Sequence, residues 1–361
     1  MRIVVDLDGV ICSLKNPNES YSDVKPNTDV IQLMKEWKEQ GHVIIIYTGR
    51  HMRTCNGNVN EIINKIGKIT EDWLKKWHVP YDELYYGKPY ADIYIDDLAL
   101  TFNSAVRIKN SIESMKINIV IPMAGEGKRF KEVGFEQPKY MIQVKNKTLF
   151  EWSLESLPLD VAKQIIFVCL EEHEKRYNVS NFIKRIFEMR FPKSNYKILF
   201  IPKVTRGQVE TVLCCRDLIN NNIPLAIYNI DTHFRSTRLN SKLLTAQNHD
   251  SDGILGVHNS QDPNLSFVEL DEDGFVKRTK EKEPISNLAS TGLYIFTKGN
   301  DFVNAAETMI KNDVKTNNEF FVSELYNILI KEGKRFVVDI TDEFIPLGTP
   351  EDMNIFLNSK L

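Results

Sequence analysis

Two short apolar segments that each run into a polar loop mark the beginnings of two parts of the sequence. Residues 2–7 precede Asp8, and residues 117–121 precede a loop that contains Gly125. Downstream of each segment, apolar runs alternate with stretches in which apolar residues recur at helical spacing, as they do in residues 28–40. This alternation predicts an α/β fold in both parts, with strands that are mostly parallel.

The same pattern predicts individual elements along the chain. In the first part, we expect helices at 28–40 and about 59–77 and strands at 2–7, 42–47 and 92–95. In the second part, we expect strands near 164–169, 196–201 and 224–230 and helices near 148–157, 172–190, 207–220, 299–311 and 319–332. Residues 253–297 have the pattern of several strands with an Asp-Gly hairpin turn at 271–274, so the second sheet is predicted to be mixed.

The boundary between the parts is predicted from a polar stretch. Residues 103–116 are rich in serine, lysine and asparagine and are the best linker candidate in the chain. A length of 361 residues also suits two domains. We therefore predict a domain at 1–113 with a doubly wound parallel sheet and a second domain at 114–361 with a mixed sheet.

Composition excludes several classes of protein. Apolar residues make up 42% of the chain and charged residues 26%, which excludes disorder as its main state. The net charge of −3 gives no global attraction to nucleic acid. No apolar run approaches the roughly 20 residues that a membrane span needs. We expect no nucleic-acid partner and no membrane span, while the oligomeric state, a homo-oligomer included, stays open.

The amino-terminal residues and the cysteines bear on location. Asp6 and Asp8 interrupt the apolar run that a signal peptide would need, so export is not expected. The five cysteines include no C-x-x-C pair, which fits a reduced cytoplasm better than a disulfide scaffold. We therefore expect a cytoplasmic protein.

Charged and hydroxyl side chains follow the predicted strands of the first part. They come from Asp6, Asp8, Thr48, Lys88, Asp96 and Asp97, with Gly49 beside Thr48. Because ligands of doubly wound sheets lie at the carboxyl ends of the strands, we expect these groups to converge. Four carboxylates in one crevice are costly unless a cation neutralises them, and hard oxygen ligands favour Mg²⁺. The sequence thus predicts a magnesium site suited to phosphoryl transfer.

These residues belong to four motifs, Asp6-Leu7-Asp8-Gly9-Val10, Thr48-Gly49-Arg50, Lys88 and Asp96-Asp97. In this order the motifs resemble those of the haloacid dehalogenase (HAD) superfamily of phosphatases. Residues 87–97 are especially similar to its small capsule-biosynthesis phosphatases, and the resemblance covers about residues 1–105. It implies a HAD-like fold, with Asp6 as nucleophile and Asp8 as general acid and base. It further implies that phosphate is held by Thr48, Gly49 and Lys88, and Mg²⁺ by Asp6, Asp8, Asp96 and Asp97.

A glycine-containing loop follows the first strand of the second part. Gly125 and Gly127 let backbone N–H groups approach phosphate oxygens, while Arg129 and Lys139 add positive charge. The loop lacks the Walker pattern, and the dinucleotide-binding pattern is broken at its third glycine. Asp231 ends a later apolar strand, where a carboxylate can hold Mg²⁺ on a nucleotide.

Residues 117–357 resemble the sugar nucleotidyltransferases, a family with a glycosyltransferase-A-like fold, and are most similar to its capsule-type members. The motifs that carry the resemblance are Ile121-Pro122-Met123-Ala124-Gly125, Lys282-Glu283-Pro284-Ile285-Ser286 and Gly348-Thr349-Pro350-Glu351-Asp352. The roles it implies are triphosphate binding by Gly125, Gly127 and Arg129, charge stabilisation at the α-phosphate by Lys139, and Mg²⁺ binding by Asp231. The implied nucleotide and acceptor contacts are Gly207, Gln208, Lys282, Asn287 and Gly292.

The second resemblance breaks at one position. Many members of the family carry a second metal-binding aspartate two residues before the Gly348-Thr349 pair, where this chain has Pro346. Metal binding would then rest on Asp231 with the triphosphate and water, or on a carboxylate that the sequence does not identify.

Together the two resemblances imply a bifunctional enzyme. It would combine a Mg²⁺-dependent phosphatase with a nucleotidylyltransferase that activates a phosphorylated sugar or polyol for capsule or another surface polysaccharide. The second substrate is a nucleoside triphosphate, with CTP slightly preferred over UTP, dTTP and GTP. Two alternatives stay open: the acceptor is phosphocholine, glycerol phosphate or a phosphonate, or the second domain is a regulatory nucleotide-binding module.

Overall fold

The computed structural model describes residues 1–16, 18–91, 99–114, 116–246 and 251–359. These residues belong to two compact units, unit 1 (Met1–Ser114) and unit 2 (Met115–Leu361), each with its own apolar core. Over the described ranges, no helix is both long enough and apolar enough to cross a membrane. All five cysteines are free thiols.

Unit 1 contains a parallel sheet with helices. Its described elements are β1 (Arg2–Asp6), α1 (Thr28–Glu39), β2 (Val43–Thr48), α2 (Val59–Ile62), α3 (Lys68–Lys76), β3 (Glu83–Tyr86) and α4 (Ala105–Ser114). The described strands run in the order β1-β2-β3, with Asp6 opposite Tyr47 and Thr48 opposite Tyr86. Their carboxyl ends therefore meet at one edge. The strand expected at 92–95 lies outside the described residues.

Helix α1 forms because local and tertiary signals agree. The Asn27 side chain accepts a hydrogen bond from the backbone N–H of Val30 and caps the first turn. Met34 and Trp37 pack into the unit 1 core, so the apolar stripe faces inward. Gly41 follows the helix with a φ of 87°, the left-handed conformation that commonly ends a helix.

The helix expected at 59–77 forms with one irregularity. Between α2 and α3, residues Ile63–Gly67 make a π-helical turn, and the helical run ends at Lys76. Trp73 is buried, and its indole N–H donates to the carbonyl of Val24 at 2.9 Å. The long helical stretch therefore anchors the loop that follows β1.

The linker predicted at 103–116 is wrong for most of its length, because residues 105–114 form α4. Lys109 on this helix pairs with Glu36 of α1 at 2.7 Å. The apolar residues of this segment that pack against the unit 1 core are Phe102, Ala105, Ile108 and Ile112. The segment thus belongs to unit 1 as a packed element rather than as a connection.

Unit 2 is larger and contains both parallel and antiparallel strands. Its strands are β4 (Ile117–Pro122), β5 (Gln143–Val144), β6 (Lys147–Thr148), β7 (Ala162–Leu170), β8 (Tyr196–Ile201), β9 (Leu225–Tyr228), β10 (Thr232–Arg235), β11 (Gly253–Asn259), β12 (Ser266–Leu270), β13 (Val276–Glu281), β14 (Leu288–Phe296), β15 (Phe336–Ile340) and β16 (Glu343–Pro346). Its helices are α5 (Lys128–Glu132), α6 (Leu149–Glu155), α7 (Glu171–Tyr177), α8 (Val179–Arg190), α9 (Gln208–Leu213), α10 (Arg216–Ile219), α11 (Leu239–Ala246), α12 (Gly299–Lys311), α13 (Val322–Lys331) and α14 (Pro350–Asn358).

The main sheet of unit 2 is mixed, as the sequence predicts. Its order is β13-β12-β14-β9-β4-β7-β8, with β11 pairing to β14 and β15 pairing to β11. β9, β4, β7 and β8 are parallel, whereas β14 runs antiparallel to β9. A separate antiparallel ribbon of β10 and β16 follows Asp231 and places Thr232 opposite Pro346.

Two long helices expected in unit 2 are each broken in two. Residues 172–190 form α7 and α8, which are separated at Asn178, whose φ of 50° is left-handed. Residues 207–220 form α9 and α10, which are interrupted at Cys214 and Cys215. The break at Asn178 follows from a backbone conformation that asparagine adopts more readily than most residues.

The chain segment after Gly348 is fixed by a helix cap. The Thr349 hydroxyl accepts from the backbone N–H of Asp352, and the Asp352 carboxylate accepts from the backbone N–H of Thr349. This reciprocal cap starts α14, with Pro350 in its first turn. The cap holds Gly348 next to Asp231, whose carbonyl accepts a hydrogen bond from the N–H of Leu347 at 2.9 Å.

Candidate functional site

In unit 1, Asp6 and Lys88 form an ion pair at the sheet edge. Asp6 is the last residue of β1, and the Lys88 ammonium group donates to its Oδ2. Lys88 follows β3, and its backbone N–H donates to the carbonyl of Thr48 at 3.1 Å. The sequence-predicted Asp6, Thr48 and Lys88 therefore come together.

Asp8, the second predicted carboxylate, is held by a buried arginine. The Arg50 guanidinium donates to Oδ1 and Oδ2 of Asp8 at 2.8 to 3.1 Å, and only 2% of Arg50 is exposed. The Tyr21 ring lies over the guanidinium at 4.4 Å, and Thr70 accepts a further hydrogen bond. This fork fixes the orientation of the Asp8 carboxylate.

Cys12 also lies in this cluster, but its chemistry is inert. Burial, together with the nearby Asp8 charge, raises the pKa of the Cys12 thiol to about 12. The thiol is therefore protonated at neutral pH and is not a nucleophile.

Thr48 and Gly49 stand where the loops of β2 and β3 approach closely. Thr48 is fully buried, and its hydroxyl accepts from the backbone N–H of Arg50 at 3.2 Å. A Cβ on Gly49 would lie 3.1 Å from the carbonyl oxygen of Lys88, so a larger residue would press the loops apart. Asp96 and Asp97, the other predicted Mg²⁺ ligands, lie outside the described residues.

In unit 2, Lys139 and Asp231 form the corresponding pair. The Lys139 ammonium group is 2.6 Å from Oδ2 of Asp231, and about a quarter of each side chain is exposed. Gly127 has a left-handed φ of 63° and lies beside Lys139, since a Cβ there would be 3.9 Å from the lysine Cβ. Gly348 borders the other side, because its Cβ would be 3.3 Å from Asp231 Oδ2.

A second group of predicted residues meets at Asn229. The Gln208 amide donates to Oδ1 of Asn229, and the Asn229 backbone N–H donates to the carbonyl of Gly292 at 3.1 Å. Gly207 packs against the backbone of Phe320. Because Asn229 is two residues from Asp231, this group and the Lys139–Asp231 pair share one short segment.

The remaining predicted residues make fewer contacts. Arg129 is exposed and makes no hydrogen bond or ion pair with any residue that the structure describes. Gly125 has open space around its Cα. The Lys282 ammonium group lies 5.4 Å from the centre of the Phe321 ring, and exposed Asn287 accepts a hydrogen bond from Gln261.

The donor set around Asp231 fits a Mg²⁺ ion that is completed by substrate. Across the described ranges, no cluster of three or more histidine, cysteine, aspartate and glutamate side chains could by itself hold a metal. Asp231 Oδ1 accepts no hydrogen bond from any described residue, so one oxygen is available. Pro346 pairs with Thr232 and supplies no ligand. A single carboxylate oxygen beside phosphate oxygens and water is an arrangement that Mg²⁺ accepts.

A cavity of about 400 Å³ in unit 2 lies apart from these residues. It is bordered by the end of α6, by β10 and by the start of α11, and none of the predicted site residues lines it. His233 borders it, and its Nδ1 contacts the carbonyl of Trp152 at 2.8 Å and the Ser156 hydroxyl at 3.1 Å. These contacts indicate that the His233 ring has a structural role.

Two residues with prominent contacts had no role in the sequence analysis. Arg50 stands in the Thr48-Gly49-Arg50 motif, and Asn229 stands two residues before Asp231. Their partners, Asp8 and Gln208, are distant in sequence. Position within a motif is the only signal that could have drawn attention to them.

Comparisons with known proteins give a family match inside unit 2. The nucleotidyl transferase family model matches residues 119–352. The D-glycero-alpha-D-manno-heptose 1-phosphate guanylyltransferase of Campylobacter jejuni is 26% identical over 242 residues, which cover 66% of this chain and 97% of that protein. The mannose-1-phosphate guanylyltransferase catalytic subunit beta of Drosophila pseudoobscura is 22% identical over 251 residues, which cover 66% of this chain but only 62% of that relative.

A solved structure agrees with these sequence matches. The nucleoside-diphosphate-sugar pyrophosphorylase from Vibrio cholerae is 30% identical and has a TM-score of 0.57. The match covers 67% of this chain and 100% of that one.

Proposed function

The chain belongs to the nucleotidyl transferase family, and from that premise we propose that unit 2 transfers a nucleotidyl group from a nucleoside triphosphate to a phosphorylated sugar or polyol. The observation that carries the proposal is the Lys139–Asp231 pair beside the Gly127 loop, inside the matched range. The named relatives support the acceptor class, because two are guanylyltransferases of sugar 1-phosphates.

In the proposed reaction, a phosphate oxygen of the acceptor attacks the α-phosphorus of the triphosphate. The bond between that phosphorus and the bridging oxygen to the β-phosphate breaks, and pyrophosphate leaves with the electron pair. Lys139 can stabilise the negative charge that grows on the α-phosphate oxygens. Arg129, with no acidic partner among the described residues, is available for the pyrophosphate oxygens.

We further propose that Asp231 holds Mg²⁺ in unit 2. The free Oδ1 of Asp231 and the small neighbour Gly348 support this role. When bound, the ion would offset the charge of the triphosphate. The residues themselves orient the nucleotide: Asp231 fixes one edge of the site, and Lys139 keeps a positive charge beside it.

A screen of nucleotides against acceptors tests the transferase proposal. CTP, GTP, UTP and dTTP are each incubated with Mg²⁺ and sugar 1-phosphates, polyol phosphates, phosphocholine or glycerol phosphate, and pyrophosphate is measured. GTP deserves equal weight with CTP because of the two guanylyltransferase relatives. We expect pyrophosphate with a sugar or polyol phosphate and its loss in Lys139→Ala. Pyrophosphate with phosphocholine or glycerol phosphate alone would reject the acceptor class, and no pyrophosphate with any pair would reject the reaction.

We propose that unit 1 is a Mg²⁺-dependent phosphatase of the HAD type. Asp6 would attack the phosphorus of a phosphate ester, forming an aspartyl phosphate as the ester bond breaks. Asp8 would give its proton to the departing oxygen and later take one from the water that hydrolyses the intermediate. The support is geometric: Lys88 neutralises Asp6, and Arg50 orients Asp8.

The two proposed activities suit consecutive steps. A phosphatase that removes the distal phosphate of a sugar bisphosphate leaves the phosphate that a nucleotidyl transferase uses. The product would be an activated sugar for capsule or another surface polysaccharide. Incubation with a bisphosphate and a nucleoside triphosphate should release phosphate before pyrophosphate, whereas phosphate release only from the finished nucleotide sugar would reverse this order.

A further inference from the structure

Gln208 is held through its side chain and through the backbone of its two neighbours in the chain. A Cβ on Gly207 would lie 2.5 Å from the backbone nitrogen of Phe320, so only glycine allows this approach. The Val209 N–H donates to the Phe320 carbonyl at 3.2 Å, and the Gln208 side-chain amide donates to Asn229. A half-buried glutamine fixed in this way is pre-organised before any ligand arrives.

Asn229 is in turn seated on a glycine. Gly292 has a φ of 82°, and a Cβ built on it would lie 2.7 Å from the Asn229 Nδ2. The Asn229 backbone N–H donates to the Gly292 carbonyl, so strand β14 holds the backbone of Asn229, while the missing Cβ of Gly292 leaves room for its side-chain amide. A methyl group at Gly292 would therefore displace the amide that holds Gln208.

We propose that Asn229 is a positioning residue that orients Gln208 against the base of the nucleoside triphosphate, and that Gly292 is required to seat Asn229. The inference rests on the proposed nucleotidyl transfer by unit 2. With one N–H given to Asn229, the Gln208 amide keeps one N–H and its Oε1, a donor and an acceptor for a base edge. Asp231 lies on the same short segment, so base binding and phosphate binding share one support.

A double-mutant cycle on nucleotide binding tests the positioning role. The full chain and its Gln208→Ala, Asn229→Ala and doubly substituted forms are titrated calorimetrically with CTP and with GTP, with Mg²⁺ and without acceptor. Each single substitution should raise the Kd of the preferred nucleotide about tenfold, as expected for one lost hydrogen bond. Because Asn229 acts through Gln208, the double variant should bind no more weakly than Gln208→Ala. An additive effect near 100-fold would overturn the proposal.

A pair of glycine substitutions gives a test that leaves Asn229 and Gln208 in place. Gly292 and Gly333 have similar left-handed φ values of 82° and 88°, but a Cβ on Gly333 meets nothing within 4 Å. Alanine adds similar backbone strain at both sites, whereas only the Cβ of Gly292→Ala clashes with the Asn229 side chain. We expect Gly292→Ala to raise the KM for nucleotide about tenfold with kcat little changed, and Gly333→Ala to leave both constants unchanged.

The outcomes separate this inference from the proposed function. Equal effects of Gly292→Ala and Gly333→Ala, or wild-type binding by Gly292→Ala, would overturn the role of Asn229. Nucleotide binding without pyrophosphate release from any acceptor would reject the transfer reaction. The double-mutant cycle on nucleotide binding would still decide the role of Asn229. If no nucleotide binds to the wild-type chain, both ideas fail. If Asn229→Ala does not fold, the glycine pair decides.

Discussion

The two units each pair a lysine with an aspartate at the end of a strand or shortly after it, yet the surroundings of the pairs differ. In unit 1, Lys88 bonds Asp6, and a second carboxylate close in sequence, Asp8, is held by buried Arg50. In unit 2, Lys139 bonds Asp231. There the position that could supply a second carboxylate is occupied by Pro346.

This difference shows that a lysine–aspartate pair alone does not identify a reaction. Two carboxylates with separate cationic partners suit covalent phosphoryl transfer, in which one attacks and the other moves a proton. One carboxylate beside a glycine-containing loop and the exposed side chain of Arg129 suits a triphosphate, which brings its own oxygen ligands. The family match lies within unit 2 and supports the transferase proposal. The phosphatase proposal rests instead on geometry and on the order of the motifs.

The largest expected effect comes from removing the proposed nucleophile of unit 1. Asp6→Asn keeps the shape of the side chain but cannot form an aspartyl phosphate, so phosphate release should fall by roughly 10³-fold or more. The measurement is the initial rate of phosphate release from sugar bisphosphates. Asp29→Asn, which changes an exposed carboxylate of α1, serves as the control and should leave the rate unchanged. A folded Asp6→Asn protein with the wild-type rate would contradict the proposal that Asp6 is the nucleophile of unit 1.

Loss of the unit 2 carboxylate should have the next largest effect. Asp231→Asn removes the charge that pairs with Lys139 and the proposed Mg²⁺ ligand, so pyrophosphate release should fall by about 10²-fold. Initial rates measured over a range of Mg²⁺ concentrations check this expectation. Asp217→Asn, at an exposed position on α10, is the matched control. Equal rates in Asp231→Asn and Asp217→Asn would contradict the assignment of Asp231.

Substitution of the buried Arg50 should lower the stability of unit 1 but not that of unit 2. Arg50→Met leaves Asp8 without its fork, and we expect unit 1 to lose about 2 kcal/mol or more. Three of the four tryptophans, Trp37, Trp73 and Trp77, lie in unit 1, so tryptophan fluorescence during urea unfolding reports mainly on that unit. Arg107→Met, an exposed change on α4, is the control. If both variants unfold at the same urea concentration, Arg50 does not stabilise unit 1.

The smallest predicted effect is a pH dependence specific to unit 2. Burial lowers the pKa of His258 to about 4, and its ring stacks on Phe344 with centroids 3.7 Å apart. Since the unfolded ring has a pKa near 6.5, the unfolded state binds the proton more tightly. Stability is therefore lost as pH falls from 6.5 towards 4, by about 1 to 2 kcal/mol after allowing for partial exposure.

Unit 1 should respond at lower pH. Hydrogen bonds from Lys38 and from the backbone of Ile44 lower the pKa of Asp82, and its contribution to stability is lost only as pH falls through that lowered value. Urea unfolding at several pH values should show unit 2 weakening first. His258→Phe should reduce the change in the stability of unit 2 between pH 6.5 and 4. An unchanged pH dependence would contradict the role given to His258.

Regular parts of the fold were predictable because local pattern and tertiary packing agree there. Helix α12 spans the predicted residues 299–311, and the hairpin turn at 271–274 joins β12 to β13. The segment 103–116 misled because its many polar residues obscured an apolar stripe that packs against unit 1. The break at Asn178 also escaped prediction, since one left-handed residue leaves little trace in a helical pattern.

The candidate sites show a similar limit. Motif order and strand ends predicted that Asp6 and Lys88 would meet, and the resemblance placed Lys139 and Asp231 in one site. Neither route indicated that Asn229 would hold Gln208, because that contact depends on how distant segments pack. A residue that orients another side chain has no sequence motif of its own, so it can be identified only from the contacts in the folded structure.

The central claim is that the chain performs two phosphorus reactions at two separate sites. The most direct test follows ³¹P NMR spectra of the wild-type chain, Asp6→Asn and Asp231→Asn, each with Mg²⁺, a nucleoside triphosphate, a sugar bisphosphate and a sugar 1-phosphate. The wild type should produce both phosphate and pyrophosphate, Asp6→Asn only pyrophosphate, and Asp231→Asn only phosphate. Loss of both signals in either folded variant, or survival of both, would contradict two independent sites.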